Sequence, residues 1–182
     1  MKASLGIVRE AKGRLLTRTL LNLIIPKTIN FTRLVVAVAI CQLAGVVGSI
    51  FTVSSIPEWY ASLAKPAFAP PNWLFGPVWI TLYTLMGISL YLVWEKGFEK
   101  NKTALSIFAG QLLLNVAWSV IFFGMRNIFA GLVEIIMLWI AIAAAMASFY
   151  KISRKATWLL TPYIGWVSIA TALNFAIWQL NS

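Results

Sequence analysis

Few side chains in this sequence are of the types that ordinarily catalyse reactions or bind metals. Its 182 residues include no His, no Asp and one cysteine, Cys41, and its five Glu residues form no paired-carboxylate motif. Histidine-based metal sites, cysteine-cluster zinc sites, Ser-His-Asp or Cys-His nucleophiles and intrachain disulfides are therefore excluded. We expect no metal site, no obligatory cofactor and no conventional hydrolytic or metal-dependent catalysis.

Aromatic, amide and small side chains instead recur at helical spacing. One face carries five of them at i, i+4, i+7, i+8 and i+11: Gln111, Asn115, Trp118, Ser119 and Phe122. Three further segments show comparable faces: Trp79 with Tyr83 and Met86 or Gly87; Trp166 with Ala170 and Asn174; and the small residues Cys41, Gly45, Gly48 and Thr52. Residues at these spacings share one side of a helix, so each set can line a common cavity.

The composition places these faces on membrane helices. The chain is 60% hydrophobic and only 11% charged, whereas soluble domains are about 45–50% apolar and about 25% charged. Five uncharged or nearly uncharged stretches are long enough to cross a bilayer: Leu34 to Ile56, Trp73 to Trp94, Thr103 to Met125, Ile128 to Tyr150 and Ala156 to Leu180. Backbone groups in lipid must be hydrogen-bonded internally, which predicts helices. The fold class is therefore an all-α integral membrane protein, a bundle of five transmembrane helices spanning residues 34–182.

The basic residues predict how this bundle is oriented. All but two of the 15 Lys and Arg residues lie in the N-terminal segment or in the connections between spans two and three and between spans four and five. Only Lys65 and Arg126 lie on the opposite side. The positive-inside rule then puts the N-terminus in the cytoplasm. The net charge of +10 is attributed to these residues, which orient the spans and contact anionic lipids. No nucleic-acid partner is expected.

With that topology, the four faces meet at a similar depth in the outer half of the membrane. An aromatic cavity with a few polar groups, open to the outer side, would suit a flat apolar ligand. Small-residue stripes more often mediate helix packing or dimer contacts, which is the favoured interpretation of Gly45 and Gly48. Buried amides can equally serve to hydrogen-bond a neighbouring helix.

The nine tryptophans divide into two groups by depth. Five lie at span ends, where interfacial belts place them: Trp59, Trp73, Trp94, Trp158 and Trp178. Four lie deeper, where a belt does not explain them: Trp79, Trp118, Trp139 and Trp166. The deeper four are therefore candidates for a ligand site.

The connection between the first two spans, Pro57 to Asn72, is unusually apolar. Four prolines prevent it from being a regular helix throughout. Its candidate functional residues are Trp59, Tyr60, Lys65, Pro66, Pro70 and Pro71. It is either a lid folded over the outer mouth of the bundle or an interfacial anchor.

Residues 1–33 form a separate basic extension. Leu and Val residues alternate there with Lys and Arg. This pattern favours an amphipathic helix on the cytoplasmic membrane surface, and a mitochondrial targeting segment is the alternative.

Two stretches carry a family resemblance. Residues 59–66 (WYASLAKP) and 70–79 (PPNWLFGPVW) resemble the signature of the tryptophan-rich sensory proteins, the bacterial and organellar relatives of the translocator protein, or peripheral benzodiazepine receptor. The likeness covers residues 34–180 in order and includes the following positions: Leu82, Tyr83, Met86, Gly87, Gln111, Asn115, Trp118, Ser119, Phe122, Phe123, Gly124, Glu134, Ile135, Trp166, Ala170, Thr171 and Asn174.

The resemblance implies a five-helix bundle, commonly a homodimer, with porphyrins and related tetrapyrroles bound beneath the first loop. Protoporphyrin IX or haem is the implied ligand. The chain has no His, so haem would be held by stacking and hydrogen bonds or by weak Tyr, Cys or Met ligation. The predicted ligand-binding set combines these matches with the helical faces described above: Gly48, Thr52, Trp79, Tyr83, Asn115, Trp118, Ser119, Phe122, Trp166, Ala170 and Asn174. A bacterial cell membrane is favoured, or a mitochondrial membrane for a eukaryotic source.

The expected function is that of a membrane receptor or transporter-like protein that senses porphyrins or protects against porphyrin or oxidative stress. One alternative is light-dependent porphyrin breakdown, for which the resemblance implies Trp79 and Trp166 as the catalytic residues. Another is a lipid or sterol carrier, which is disfavoured because residues 173–178 lack the family's sterol-recognition pattern of Tyr followed by Lys or Arg. A proton transporter would need more intramembrane carboxylates than Glu134.

Overall fold

Five helices, each long and apolar enough to cross a membrane, dominate the computed structural model, which describes residues 29–182. They are α1 (Phe31–Ser55), α2 (Asn72–Trp94), α3 (Lys102–Ser119), α4 (Ile128–Tyr150) and α5 (Arg154–Leu180). No strand occurs within this range. The predicted all-α, five-span fold is confirmed. The predicted extension 1–33 lies almost entirely outside the described residues.

Side-chain caps start the last two helices. The Asn127 side chain accepts a hydrogen bond from the Ala130 N–H at 2.9 Å, and the Ser153 hydroxyl accepts one from the Ala156 N–H at 3.3 Å. Such caps satisfy N–H groups that have no partner within the helix. They allow very short connections on both sides of α4.

The helices differ in how deeply they are packed. Helix α5 packs against α4 on one side and α2 on the other, and α3 packs against α4. Helix α1 is peripheral, because only 17% of its most apolar stretch is buried, against 33–39% in the other four. It approaches α2 closely at Gly87, where an added Cβ would lie 2.5 Å from the Val38 Cα. Only glycine fits at that crossing.

The first connection is shorter than the sequence predicted. Helix α1 continues through a π-helical turn, Ile56–Tyr60, and helical backbone persists to Ser62. Pro57 has no N–H to donate, so the regular hydrogen-bonding pattern is interrupted there, and the wider turn accommodates the change. The predicted loop boundary at Pro57 is therefore wrong: Trp59 and Tyr60 belong to the helical extension, and the loop comprises residues 63–71.

A second π-helical turn, Val120–Gly124, extends α3. Its wider spacing puts the adjacent rings of Phe122 and Phe123 into one buried group with Tyr60, Leu173 and Ile177, here called the end cluster. This cluster lies at the end of the bundle that carries the first loop. We refer to that end as the first-loop end.

Candidate ligand-binding cavity

A cavity of about 620 Å³ lies between α1, α2 and the end of α3. Its volume is within the roughly 300–1,000 Å³ typical of small-molecule sites. The lining residues are Gln42, Gly45, Val46, Gly48, Ser49, Thr52, Val53, Ile56, Asn72, Trp73, Phe75, Gly76, Trp79, Ile80, Tyr83, Trp118, Ser119 and Phe123. Aromatic and aliphatic groups dominate, with a small number of hydroxyls and amides among them.

The aromatic walls are held by ring contacts. Trp79 stacks on Tyr83 with ring centroids 5.4 Å apart and an angle of 28° between the planes. Trp118 stacks on Phe122 at 5.1 Å and 16°, and Phe123 meets the Trp118 ring edge-on at 5.6 Å. Such pairs stabilise by about 0.5–1.5 kcal/mol beyond area burial, so the two indoles are preorganised.

The small residues of α1 shape the opposite wall. A Cβ at Gly45 would lie 2.4 Å from the Tyr83 Cε2, and one at Gly48 would lie 3.1 Å from the Ser119 Oγ. Both glycines therefore make close contacts within this chain. They let α1 approach the aromatic side of the cavity without filling it.

Tyr83 belongs to a hydrogen-bonded chain of four buried side chains that supports its ring from behind. The Tyr83 hydroxyl donates to the Asn115 Oδ1 in a short hydrogen bond. The Asn115 Nδ2 donates to the Tyr163 Oη at 3.1 Å, and the Tyr163 hydroxyl donates to the Gln111 Oε1 at 2.9 Å. The chain joins α2, α3 and α5. Removing one member would leave a buried partner unsatisfied, at a cost of about 1–3 kcal/mol.

Six of the eleven predicted ligand-binding residues line this cavity: Gly48, Thr52, Trp79, Tyr83, Trp118 and Ser119. Asn115 and Asn174 lie behind the wall as supports. Asn174 accepts a hydrogen bond from the Trp118 indole N–H at 3.3 Å and donates to the Ile128 carbonyl at 2.9 Å. Phe122 is buried in the end cluster, and Ala170 packs against the main core.

Trp166 lies elsewhere. It lines a separate, almost wholly apolar groove of about 520 Å³ between α2 and α5, together with Val78, Leu82 and Ile169. The Phe75 ring lines the first cavity and meets the Trp166 ring edge-on at 6.1 Å. Trp79 and Trp166, the pair implied for porphyrin breakdown, therefore do not share one cavity.

Sequence reasoning missed Gln42, whose side chain joins two walls of the cavity. Its Nε2 donates to the Ile80 carbonyl at 3.0 Å and to the Thr84 Oγ1 at 2.9 Å. An amide within a membrane span was the available signal. No comparable signal marked Val53 or Ile56, since both resemble ordinary lipid-facing residues.

Lys65 caps the helical extension of α1. Its ammonium donates to the carbonyls of Tyr60, Ala61 and Leu63 at 2.7, 3.2 and 3.1 Å. It also lies 4.8 Å from the centre of the Tyr60 ring. A cation at the carbonyl end of a helix satisfies orphan acceptors and opposes the helix dipole.

The first loop folds back onto the bundle. The Asn181 amide pairs with the Ala64 backbone in both directions, accepting from its N–H and donating to its carbonyl, each at 3.0 Å. Leu63 and Ala69 pack on the end cluster. The loop thus covers the ends of α3 and α5, but Pro66, Pro70 and Pro71 do not line the cavity.

Glu134 is buried, with 3% of its surface exposed, and the described residues offer neither carboxylate oxygen a hydrogen bond. In residues 29–182, no group of three or more His, Cys, Asp or Glu side chains could hold a metal ion.

Residues 37–179 match the TspO/MBR family. The chain belongs to this family. It is similar to the tryptophan-rich protein TspO of Archaeoglobus fulgidus, with 48% identity over 84% of this chain and 99% of the relative. It is also similar to the human translocator protein (44% identity; 74% of this chain, 82% of the relative) and to the tryptophan-rich sensory protein of Cereibacter sphaeroides (37%; 68% and 77%).

Family membership confirms the resemblance predicted from the two tryptophan-containing motifs. It also establishes a multi-pass membrane protein whose relatives occur in archaea, bacteria and mammals. The homodimer, the particular membrane and the bound ligand stay predictions.

Proposed function

We propose that this TspO/MBR family member is a membrane receptor or transporter-like protein that binds a tetrapyrrole, protoporphyrin IX or haem, in the cavity between α1, α2 and α3. The observation that carries the proposal is the pair of preorganised indoles, Trp79 and Trp118, in a cavity of about 620 Å³. Flat aromatic ligands bind well to fixed aromatic walls, because burial and stacking act together.

The donor set of the cavity favours the free-base ligand over haem. Without His, iron would have only weak side-chain ligands. The Tyr83 hydroxyl is already engaged with Asn115, which leaves stacking as the main contact. The names of the relatives, "sensory" and "translocator", support sensing or transport as the use of such binding.

The charges support an orientation with the first-loop end away from the cytoplasm. Six basic side chains are exposed in the connections at the opposite end or at the adjoining helix starts: Lys96, Lys100, Lys102, Lys151, Arg154 and Lys155. Under the positive-inside rule, that end and the N-terminus face the cytoplasm.

The test is a titration of the protein in lipid nanodiscs with protoporphyrin IX, followed by the shift of its Soret absorption. Trp79→Leu removes one wall of the cavity, and Trp158→Leu is the matched control, since Trp158 is highly exposed and outside the cavity. Loss of one stacking surface at about 1.4 kcal/mol corresponds to about a tenfold weaker affinity. Equal affinities for the two variants and the wild type would refute the site.

A further inference from the structure

The two helices that border the cavity separate toward the first-loop end. They touch closely at Val38 and Gly87, and Gln42 ties α1 to the Ile80 carbonyl and to Thr84. Beyond these contacts, the cavity occupies the space between them, from Gly45 on α1 to Asn72 at the start of α2. The contact at Gly87 is thus the closed end of a cleft between α1 and α2.

The rim of this cleft consists of apolar side chains on the outside of the bundle. Val46 and Val53 of α1 are 57% and 69% exposed, and Trp73 and Ile80 of α2 are 71% and 62% exposed. All four also line the cavity. Side chains that both line a cavity and face outward mark its opening. Trp73 lies at the end of α2, whereas Val46, Val53 and Ile80 lie within the membrane-spanning helices, where the outside is lipid.

A route through the first-loop end over α3 and α5 is closed by packing. Tyr60, Phe122 and Phe123 are buried in the end cluster, with Leu63 and Ala69 of the loop packed on it. The loop is tied to the end of α5 by Asn181. Opening this route would expose buried aromatic surface and break both hydrogen bonds, while the cleft between α1 and α2 is already open.

We propose that ligands enter the cavity laterally from the bilayer, through the cleft between α1 and α2. The molecules admitted are apolar and dissolved in the lipid, and charged solutes in the aqueous phase are excluded. This route rests on the proposed function only for the identity of the natural ligand. Its test therefore uses no porphyrin.

The experiment measures which reagents reach a thiol inside the cavity. Ser119→Cys places the thiol on the α3 wall, in a Cys41→Ala background that removes the native cysteine. The protein in lipid vesicles is treated with pyrene maleimide, which partitions into the bilayer, or with a sulfonated, membrane-impermeant maleimide. The reactivity of the same thiol in SDS-unfolded protein calibrates both reagents.

Neighbouring valines give a matched pair of variants for the rim. Val46 lines the cavity, whereas Val47 is exposed on α1 without lining it. Val46→Trp narrows the cleft, and Val47→Trp adds the same bulk beside it. Ile80→Trp repeats the narrowing from the α2 side and guards against a folding defect in one variant.

We expect pyrene maleimide to label Ser119→Cys readily and the impermeant reagent to label it poorly. Val46→Trp and Ile80→Trp should slow labelling about tenfold, the effect of about 1.4 kcal/mol in barrier, while Val47→Trp leaves it unchanged. Preferential labelling by the impermeant reagent would overturn the proposal. So would an absence of labelling by either reagent in vesicles, or equal rates in the Val46→Trp and Val47→Trp proteins.

Discussion

Gly45 is the position at which a single methyl group should disturb the cavity most. In Gly45→Ala, the new Cβ would lie 2.4 Å from the Tyr83 Cε2 and 2.6 Å from its Cδ2, about 1 Å inside normal contact. The Tyr83 ring has little freedom to retreat, because it is stacked on Trp79 and its hydroxyl is bonded to Asn115. The substitution therefore displaces the helix, the ring or both.

The expected cost follows from three contributions. Overpacking of this size destabilises by about 2 kcal/mol. Weakening the buried hydrogen bond of Tyr83 adds about 1 kcal/mol. The higher helix propensity of Ala relative to Gly offsets these costs by about 1 kcal/mol of folding free energy. We expect Gly45→Ala to lower the free energy of unfolding by about 2 kcal/mol, or the melting temperature by about 4–8 °C for a chain of this size.

The assay is thermal unfolding in detergent micelles, with Gly110→Ala as the control. Gly110 is also helical, but a Cβ there would meet nothing within 4 Å. That variant should be unchanged or slightly more stable. In a Tyr83→Leu background, which removes the obstructing ring, Gly45→Ala should cost much less. Equal melting temperatures for Gly45→Ala and Gly110→Ala would refute the reasoning.

Three further substitutions probe the supports around the cavity. Asn115→Leu should lower the free energy of unfolding by about 1–3 kcal/mol, measured by thermal melting, because two buried tyrosine hydroxyls lose a partner. Asn181→Leu should accelerate proteolysis within residues 63–71, since Ala64 loses both hydrogen bonds to the end of α5; unchanged cleavage would contradict a role in anchoring the loop. Trp166→Phe should leave protoporphyrin IX affinity within about twofold of wild type, whereas Trp79→Phe weakens it, because only Trp79 lines the cavity. Equal losses for these two variants would contradict the separation of the cavity from the groove.

The fold could be predicted because each span carries its own signal. Apolar length defines the helices, and short polar connections such as 125–127 and 151–153 delimit them. The end of α1 could not be placed in this way. Pro57 predicts the end of the helix because it has no N–H to donate. The π-helical turn accommodates the lost hydrogen bond, and the helix continues.

The candidate site was predictable only where the depth and face of a residue determine its neighbours. Trp79 and Tyr83 on α2 and Trp118 and Ser119 on α3 line one cavity. Trp166 has a comparable depth and a comparable face, but α5 packs against α2 and α4, so its indole lies in the groove on another side of α2. The order of the spans along the chain does not specify which helices are neighbours in the bundle. Whether Trp166 lines the cavity depends on that arrangement, so it could not be predicted.

The position of the cavity follows from where the bundle is least tightly packed. Buried apolar side chains and hydrogen bonds join α2, α3, α4 and α5 into the main core. Helix α1 joins them through a glycine crossing, one amide and a stripe of small residues. Beyond the cavity, α1 is attached again at the first-loop end, where the Ser55 hydroxyl donates to the Phe123 carbonyl at 3.0 Å and Tyr60 is buried in the end cluster. Between these two attachments, the small residues of α1 make few side-chain contacts with the other helices. A ligand larger than the present cavity would therefore be accommodated by outward bending of α1 between these attachments, around residues 45–53, while Trp79 and Trp118, supported by α3 and α5, keep their positions.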